Sequence, residues 1–203
     1  MSEKLYLYPV WLRLWHAFNA LLILSLIASG LIIQNANVDS MLLRFDLSIS
    51  IHNVSGVLLS VNYLFFILGN VITGNIRFYI LEWKGLMGRL IQQSNYYMKG
   101  MFNGEQTPFP VNKDRKFNPL QKVSYIVAMY VFVPLVIITG LALIFPETIL
   151  PRVVGFSGIQ LTAMLHATAG FLISIFLMVH VYICTTGKPI SKNFKSIVTG
   201  WHE

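Results

Sequence analysis

The chain has 203 residues, 55% of them apolar and only 11% charged, with a formal net charge of +7 and a mean hydropathy of +0.64. That balance excludes an ordinary soluble chain of this size and leaves room for one domain, residues 1–203, set in a membrane. The positive charge lies between apolar runs, so it speaks for topology and against nucleic acid as a partner. A lone cysteine, Cys184, excludes an internal disulfide, a four-cysteine iron–sulfur site and a structural zinc site, so any metal falls to histidine. Cys184 itself reads as helix filler.

Four apolar runs follow in chain order. The first, about Leu14 to Ile33, comes after Lys4 and Arg13 as a signal peptide would. Its apolar stretch is too long for one, no small-residue cleavage site follows closely, and three more runs come after it, so it reads as a membrane anchor. The second runs from Ile51 to Thr73, the third from Val123 to Phe145 and the fourth from about Gly158 to Thr185. Each is long enough to cross about 30 Å of hydrocarbon as a helix. The expected fold is therefore all-α, an integral membrane four-helix bundle. Apart from Arg44 and Arg152, every Lys and Arg lies in the N-terminal tail, the segment from Gly74 to Lys122 or the C-terminal tail. By the positive-inside rule, both termini and the long middle loop are expected in the cytoplasm of a bacterial cell, with the chain in its inner membrane.

That middle loop is too long for a plain connector. Tyr79 to Met98 mixes Leu, Ile, Met and aromatic residues with Lys84 and Arg89, which predicts an interfacial helix at the lipid surface, a solvated basic loop being the alternative. Pro108 and Pro110 break the chain, and KFNPLQK, Lys116 to Lys122, leads into the third span. Asn118 before Pro119 reads as a helix N-cap followed by the first helical residue.

The histidines carry the chemistry. His166 and His180 stand fourteen residues apart in the fourth run, so at about 100° per residue both rings leave one helix face, separated by roughly 21 Å of rise. His16 opens the first span and His52 opens the second, which starts from the opposite side. The expected topology then pairs them by depth, His16 with His180 on the cytoplasmic side and His52 with His166 on the periplasmic side, leaving His202 out in the polar tail. Ionisable groups inside spans are costly and mark functional paths, and paired neutral imidazoles suit haem iron. Zinc would want more ligands at one place, and a proton relay would bring carboxylates into the spans. Gly56 and Gly170 each lie four residues after a histidine, on the same face, where a flat macrocycle could approach the backbone. Gly30, fourteen residues after His16, shares that histidine's face at the depth of the other pair. Helix–helix packing explains small residues equally well.

The four spans, His16 following Arg13 and Trp15, the two His-x-x-x-Gly patterns, the spacing to His180 and KFNPLQK before the third span together resemble the prokaryotic di-haem cytochrome b561-like family. This group comprises the membrane cytochrome b subunits of formate dehydrogenase (gamma type), nickel–iron hydrogenase and thiosulfate reductase. The resemblance covers nearly the whole chain and implies two b haems, the cytoplasmic-side one held by His16 and His180, the periplasmic-side one by His52 and His166. It further implies a menaquinone or ubiquinone near His180 and Asn118, with Gln121 and Lys122 as weaker contacts. Trp11, Arg13 and Trp15 fit haem or propionate contact and interfacial anchoring alike. The implied function is an electron-transfer subunit of a respiratory oxidoreductase complex, rather than a catalyst alone. It would connect a periplasmic redox subunit, an iron–sulfur protein or multihaem cytochrome, with the quinone pool. A stand-alone cytochrome b561 acting on a small periplasmic oxidant or reductant, and a haem-free anchor or transporter, are the competing readings.

Overall fold

The computed structural model describes residues 4–35, 44–187 and 189–202. Four helices are long and apolar enough to cross a membrane: α1 (Val10–Gln34), α2 (Phe45–Ile72), a third span over Pro119–Ile144 and a fourth over Gly158–Cys184. The chain is an all-α integral membrane bundle. α1 starts ahead of Leu14 and α2 ahead of Ile51, because backbone hydrogen bonding continues through the interfacial zone after side-chain hydropathy has fallen.

Between the second and third spans lies α3 (Leu86–Asn95), shorter than the expected Tyr79–Met98. Gly85, at φ 69°, starts it from a left-handed conformation that suits glycine, and a π turn over Tyr96–Gly100 extends it. The third span consists of α4 (Pro119–Val127), a π turn over Ala128–Phe132 and α5 (Val133–Ile144). Pro134 supplies the cause of that π turn. Proline has no N–H for the carbonyl one turn back and its ring presses on that carbonyl, so a wider turn relieves both problems. At the start of α4, Asn118 accepts from Gln121 N at 2.9 Å while Gln121 Oε1 accepts from Asn118 N at 3.2 Å, a reciprocal capping box.

A short hairpin of β2 (Arg152–Val153) and β3 (Phe156–Ser157) leads into α6 (Gly158–Cys184), the fourth span. After it, α7 (Lys192–Thr199) turns back along the bundle end. There β1 (Leu5–Tyr6) pairs antiparallel with β4 (Trp201–His202), so the two tails are zipped together. Arg13, at the top of α1, donates through Nη1 to the Val198 carbonyl at 2.5 Å, and His202 meets Ser196 Oγ through Nδ1 at 3.2 Å. The tail histidine thus belongs to the clip.

Two apolar clusters hold the bundle. Leu22, Ile23, Leu59, Val133 and Ile173 meet at mid-depth from all four spans. Nearer the tails, Leu12, Trp15 and Phe66 meet; Trp15 stacks on Phe66 at 4.3 Å between centroids and donates Nε1–H to the Asn62 carbonyl at 3.1 Å. Trp15 is therefore a core residue with its one polar atom satisfied, as a dry interior requires. Large apolar side chains such as Leu21, Val61, Leu64 and Leu68 face outward, where lipid solvates them.

The clip gives a direct test. Gly200 sits at φ 90° and its carbonyl accepts from both Leu7 N and Tyr8 N, while a Cβ there would lie 2.8 Å from the Tyr8 carbonyl oxygen. Gly200→Ala should cost about 1–3 kcal/mol of local stability through backbone strain alone. Limited trypsinolysis should then cut after Lys195 faster than in the wild type, and an unchanged rate would count against the clip.

Candidate haem-binding site

Each helix contributes its histidine for a local reason. His16 stands one turn beyond Leu12 on the inward face of α1, and His180 lies in the last two turns of α6. The antiparallel bundle brings them together with ring centroids 6.3 Å apart and planes at 52°. At the other end His52, from the first part of α2, faces His166 of α6 with centroids 6.1 Å apart and planes at 72°. All four rings are half-buried.

Those separations form a test of what the pairs could hold. Two imidazoles sharing one iron need about 2.0 Å for each metal–nitrogen bond and about 1.1 Å more from each nitrogen to its ring centre, or about 6.2 Å in total. Both pairs meet that length. Among the described residues, no group of three or more His, Cys, Asp or Glu gathers, so a four-ligand zinc site has no donor set here.

Hydrogen bonds orient the second pair. Ser29 Oγ lies 2.6 Å from the Ser25 carbonyl and 3.0 Å from His52 Nδ1. A hydroxyl has one hydrogen, and the carbonyl takes it, so Ser29 accepts from His52 Nδ1–H. Thr139 repeats the arrangement on the third span, with Oγ1 2.6 Å from the Leu135 carbonyl and 3.0 Å from His166 Nδ1. Both rings are thereby set in the tautomer that leaves Nε2 with a free lone pair, the condition for binding a metal.

Glycines complete this end. A Cβ on Gly30 would lie 3.3 Å from His52 Cε1, and one on Gly140 would lie 3.0 Å from His166 Cε1. Gly30 and Gly140 therefore seat the two imidazoles. Beside Gly56 a Cβ would touch only Leu26, at 4.0 Å, and beside Gly170 it would meet nothing within 4 Å. Ser29, Thr139 and Gly140 were not among the residues expected from sequence. Their signal was present as a hydroxyl–glycine doublet, Ser29-Gly30 and Thr139-Gly140, at matching places in the first and third spans.

The tail end is built from aromatic rings. His180 stacks on Phe176 at 5.7 Å and 18°, and Tyr125 meets it edge-on with Oη 3.4 Å from Nδ1. Cys184 Sγ lies 3.9 Å from His180 Nε2. Alongside runs a mainly apolar cleft of about 280 Å³ whose lining includes Gln121, Ser124, Tyr125 and His180, with Ala128 and Phe132 of the π turn in its wall. Asn118 does not line this cleft. Its Oδ1 is committed to the cap, and its Nδ2 donates to Tyr97 Oη at 2.7 Å, a phenol that burial holds above its ordinary pKa. Lys122 lines a different cleft, on the far side of the first turn of α4. Trp11 packs against Gly69 of α2.

A four-span bundle with imidazoles paired at two depths is the build of a membrane cytochrome. The chain belongs to the prokaryotic cytochrome b561 family, whose model matches residues 7–200. It is 37% identical over 202 residues to the Escherichia coli K12 protein named "Putative cytochrome YdhU", a match covering 99% of this chain and 76% of that one. No solved structure matches it. Membership brings b-type haem binding and electron transfer in the membrane.

Because Gly30 and Gly140 abut the imidazoles, Gly30→Val and Gly140→Val should each displace a ring and reduce the haem-to-chain ratio of the purified protein.

Proposed function

We propose that the chain is the di-haem b subunit of a respiratory oxidoreductase complex, carrying electrons between a periplasmic redox subunit and a quinone. The observation that carries this reading is the pair of imidazole pairs, with centroids 6.3 and 6.1 Å apart at opposite ends of α6. His16 and His180 hold one haem, and His52 and His166 the other. When bound, the haems supply reversible one-electron carriage at two depths.

The protein's residues do the rest. Ser29 and Thr139 hold His52 and His166 by Nδ1 and raise the basicity of the ligating nitrogen, which favours the oxidised iron. The cleft beside His180 suits a quinone ring, being apolar over most of its surface with the Gln121 amide and the Tyr125 hydroxyl able to donate to a carbonyl. Asn118 supports that cleft by positioning Gln121 through the capping box. The zipped tails, α3 and the KFNPLQK segment share this end with most of the cations, a distribution that by the positive-inside rule supports a cytoplasmic tail end and a periplasmic β2–β3 hairpin. Protons for a quinone reduced beside His180 then come from the cytoplasm.

Reduced-minus-oxidised spectra and haem counts on single variants test the assignment. His16→Ala and His180→Ala should each lose one b haem, and His52→Ala and His166→Ala the other. Two haems retained in any of the four would sink it. Ser29→Ala and Thr139→Val should keep both haems while raising the midpoint potential of the His52/His166 centre alone. A haem-replete chain that reduces quinone from a small reductant, and never co-purifies from native membranes with a redox subunit, would overturn the subunit role.

A further inference from the structure

We propose that the cleft between Phe78, α3, the loop carrying Phe109 and Arg115, and the first turn of α4 binds the phosphate of an anionic phospholipid headgroup. This inference is independent of haem number and of electron direction.

The cleft has a volume of about 260 Å³ and is bordered by four cations, Arg89, Arg115, Lys116 and Lys122, against two carboxylates, Glu82 and Asp114. Its apolar wall comes from Phe78, Leu81, Leu86 and Phe117. Three of the cations have known engagements. Arg89 donates to the carbonyls of Lys84 and Glu82, with the Glu82 carboxylate at 4.0 Å. Arg115 donates to the Pro110 carbonyl and covers the Phe109 ring. Lys116 has the most unusual setting.

Lys116 is only 7% exposed. Its Nζ donates to Asn75 Oδ1 at 2.7 Å and lies 4.2 Å from the Phe78 ring centre, while Asn75 in turn donates to Asn70 Oδ1 at 2.6 Å. Among the described residues, the amine has this one hydrogen-bond acceptor and no carboxylate within ion-pair distance. Burial, with the Arg77 guanidinium nearby, pushes its pKa down to about 8, which expresses the cost of a cation held there unpaired. Neutral amides and ring faces soften that cost without balancing the charge. An anion in the cleft would balance it.

Position decides which anion. Pro119 and Lys122 open the third span, and Phe78 follows closely on the end of α2 at Ile72, so the cleft lies at the level where hydrocarbon gives way to headgroups. A phosphate beside the cations, with glycerol carbons against Leu81, Leu86 and Phe117, matches both linings at once. Basic pockets at this depth are the sites where anionic headgroups lodge. A free phosphate offers the same charge but nothing for the apolar wall.

The test uses delipidated, haem-loaded protein in a neutral detergent, titrated with dihexanoyl-phosphatidylglycerol, dihexanoyl-phosphatidylcholine or inorganic phosphate. Thermal midpoint and native mass spectrometry are the readouts, and the haem spectrum checks that each variant is folded. Phosphatidylglycerol should bind saturably and raise the midpoint, phosphatidylcholine should not, and Arg89→Gln/Lys122→Gln should weaken binding at least tenfold. Lys99→Gln/Lys195→Gln, which removes two exposed cations outside the cleft, should bind as the wild type does. Lys116→Met should lose the lipid-induced shift even if the variant is itself more stable. Equal weakening by both double variants would reduce the effect to net charge and overturn the site. Inorganic phosphate binding as tightly as phosphatidylglycerol would overturn the lipid assignment in favour of a free anion.

Discussion

The constraint on which this structure depends is that a polar atom inside an apolar bundle has no water to turn to. Ser29 and Thr139 satisfy their own hydroxyl hydrogens on carbonyls one turn back, and only for that reason are they left as pure acceptors toward His52 and His166. In water the same side chains would rotate freely and orient nothing. Each of these two imidazoles inherits its tautomer from a neighbouring helix, with the two ring centroids 6.1 Å apart across the bundle. Trp15 obeys the same rule when it delivers its indole N–H to the Asn62 carbonyl.

The two ends of the bundle use different means. At the hairpin end, α1 with α2 and α5 with α6 present the same device twice, a hydroxyl–glycine doublet on one helix facing a His-x-x-x-Gly on the next. This near-repetition gives both rings equivalent support. No such repetition exists at the tail end, where His16 and His180 come from the first and last spans and where Phe66 fills the place on α2 that His180 takes on α6. Aromatic rings surround His180, a π turn widens the third span beside it, and an apolar cleft opens there. Hydroxyls and glycines hold the imidazoles at the symmetric end, and aromatic rings beside an apolar cleft hold His180 at the asymmetric end.

The segment Lys116–Lys122 shows how much a short stretch can hold together. Asn118 and Gln121 cap the third span, and Phe117 packs edge-on against Tyr125 at 4.9 Å, which itself braces His180. Lys116 reaches back to Asn75 below α2, tying the middle loop to the second span. Cap, aromatic wall and buried cation all derive from one approach path of the chain. Of these, the aromatic wall reaches His180, through Phe117 on Tyr125 and Tyr125 on the imidazole.

The sequence by itself determined the four spans and which histidines could pair, because hydropathy and helical periodicity are local and a bilayer permits few alternatives. It also determined the cap at Asn118, whose two partners lie within one turn. Only the tertiary structure decided which hydroxyl meets which imidazole, that Gly30 and Gly140 seat the rings, and that Asn118 bonds Gln121 and Tyr97 instead of lining the cleft beside His180. It decided, too, that the tails pair and that Lys116 is buried with the Asn75 amide, and among the described residues no carboxylate, as its acceptor. These facts depend on helix rotation and on contacts between residues far apart in the chain. A pattern of period 3.6 specifies which face turns inward, but the residue that waits on the neighbouring helix is set by how the helices pack.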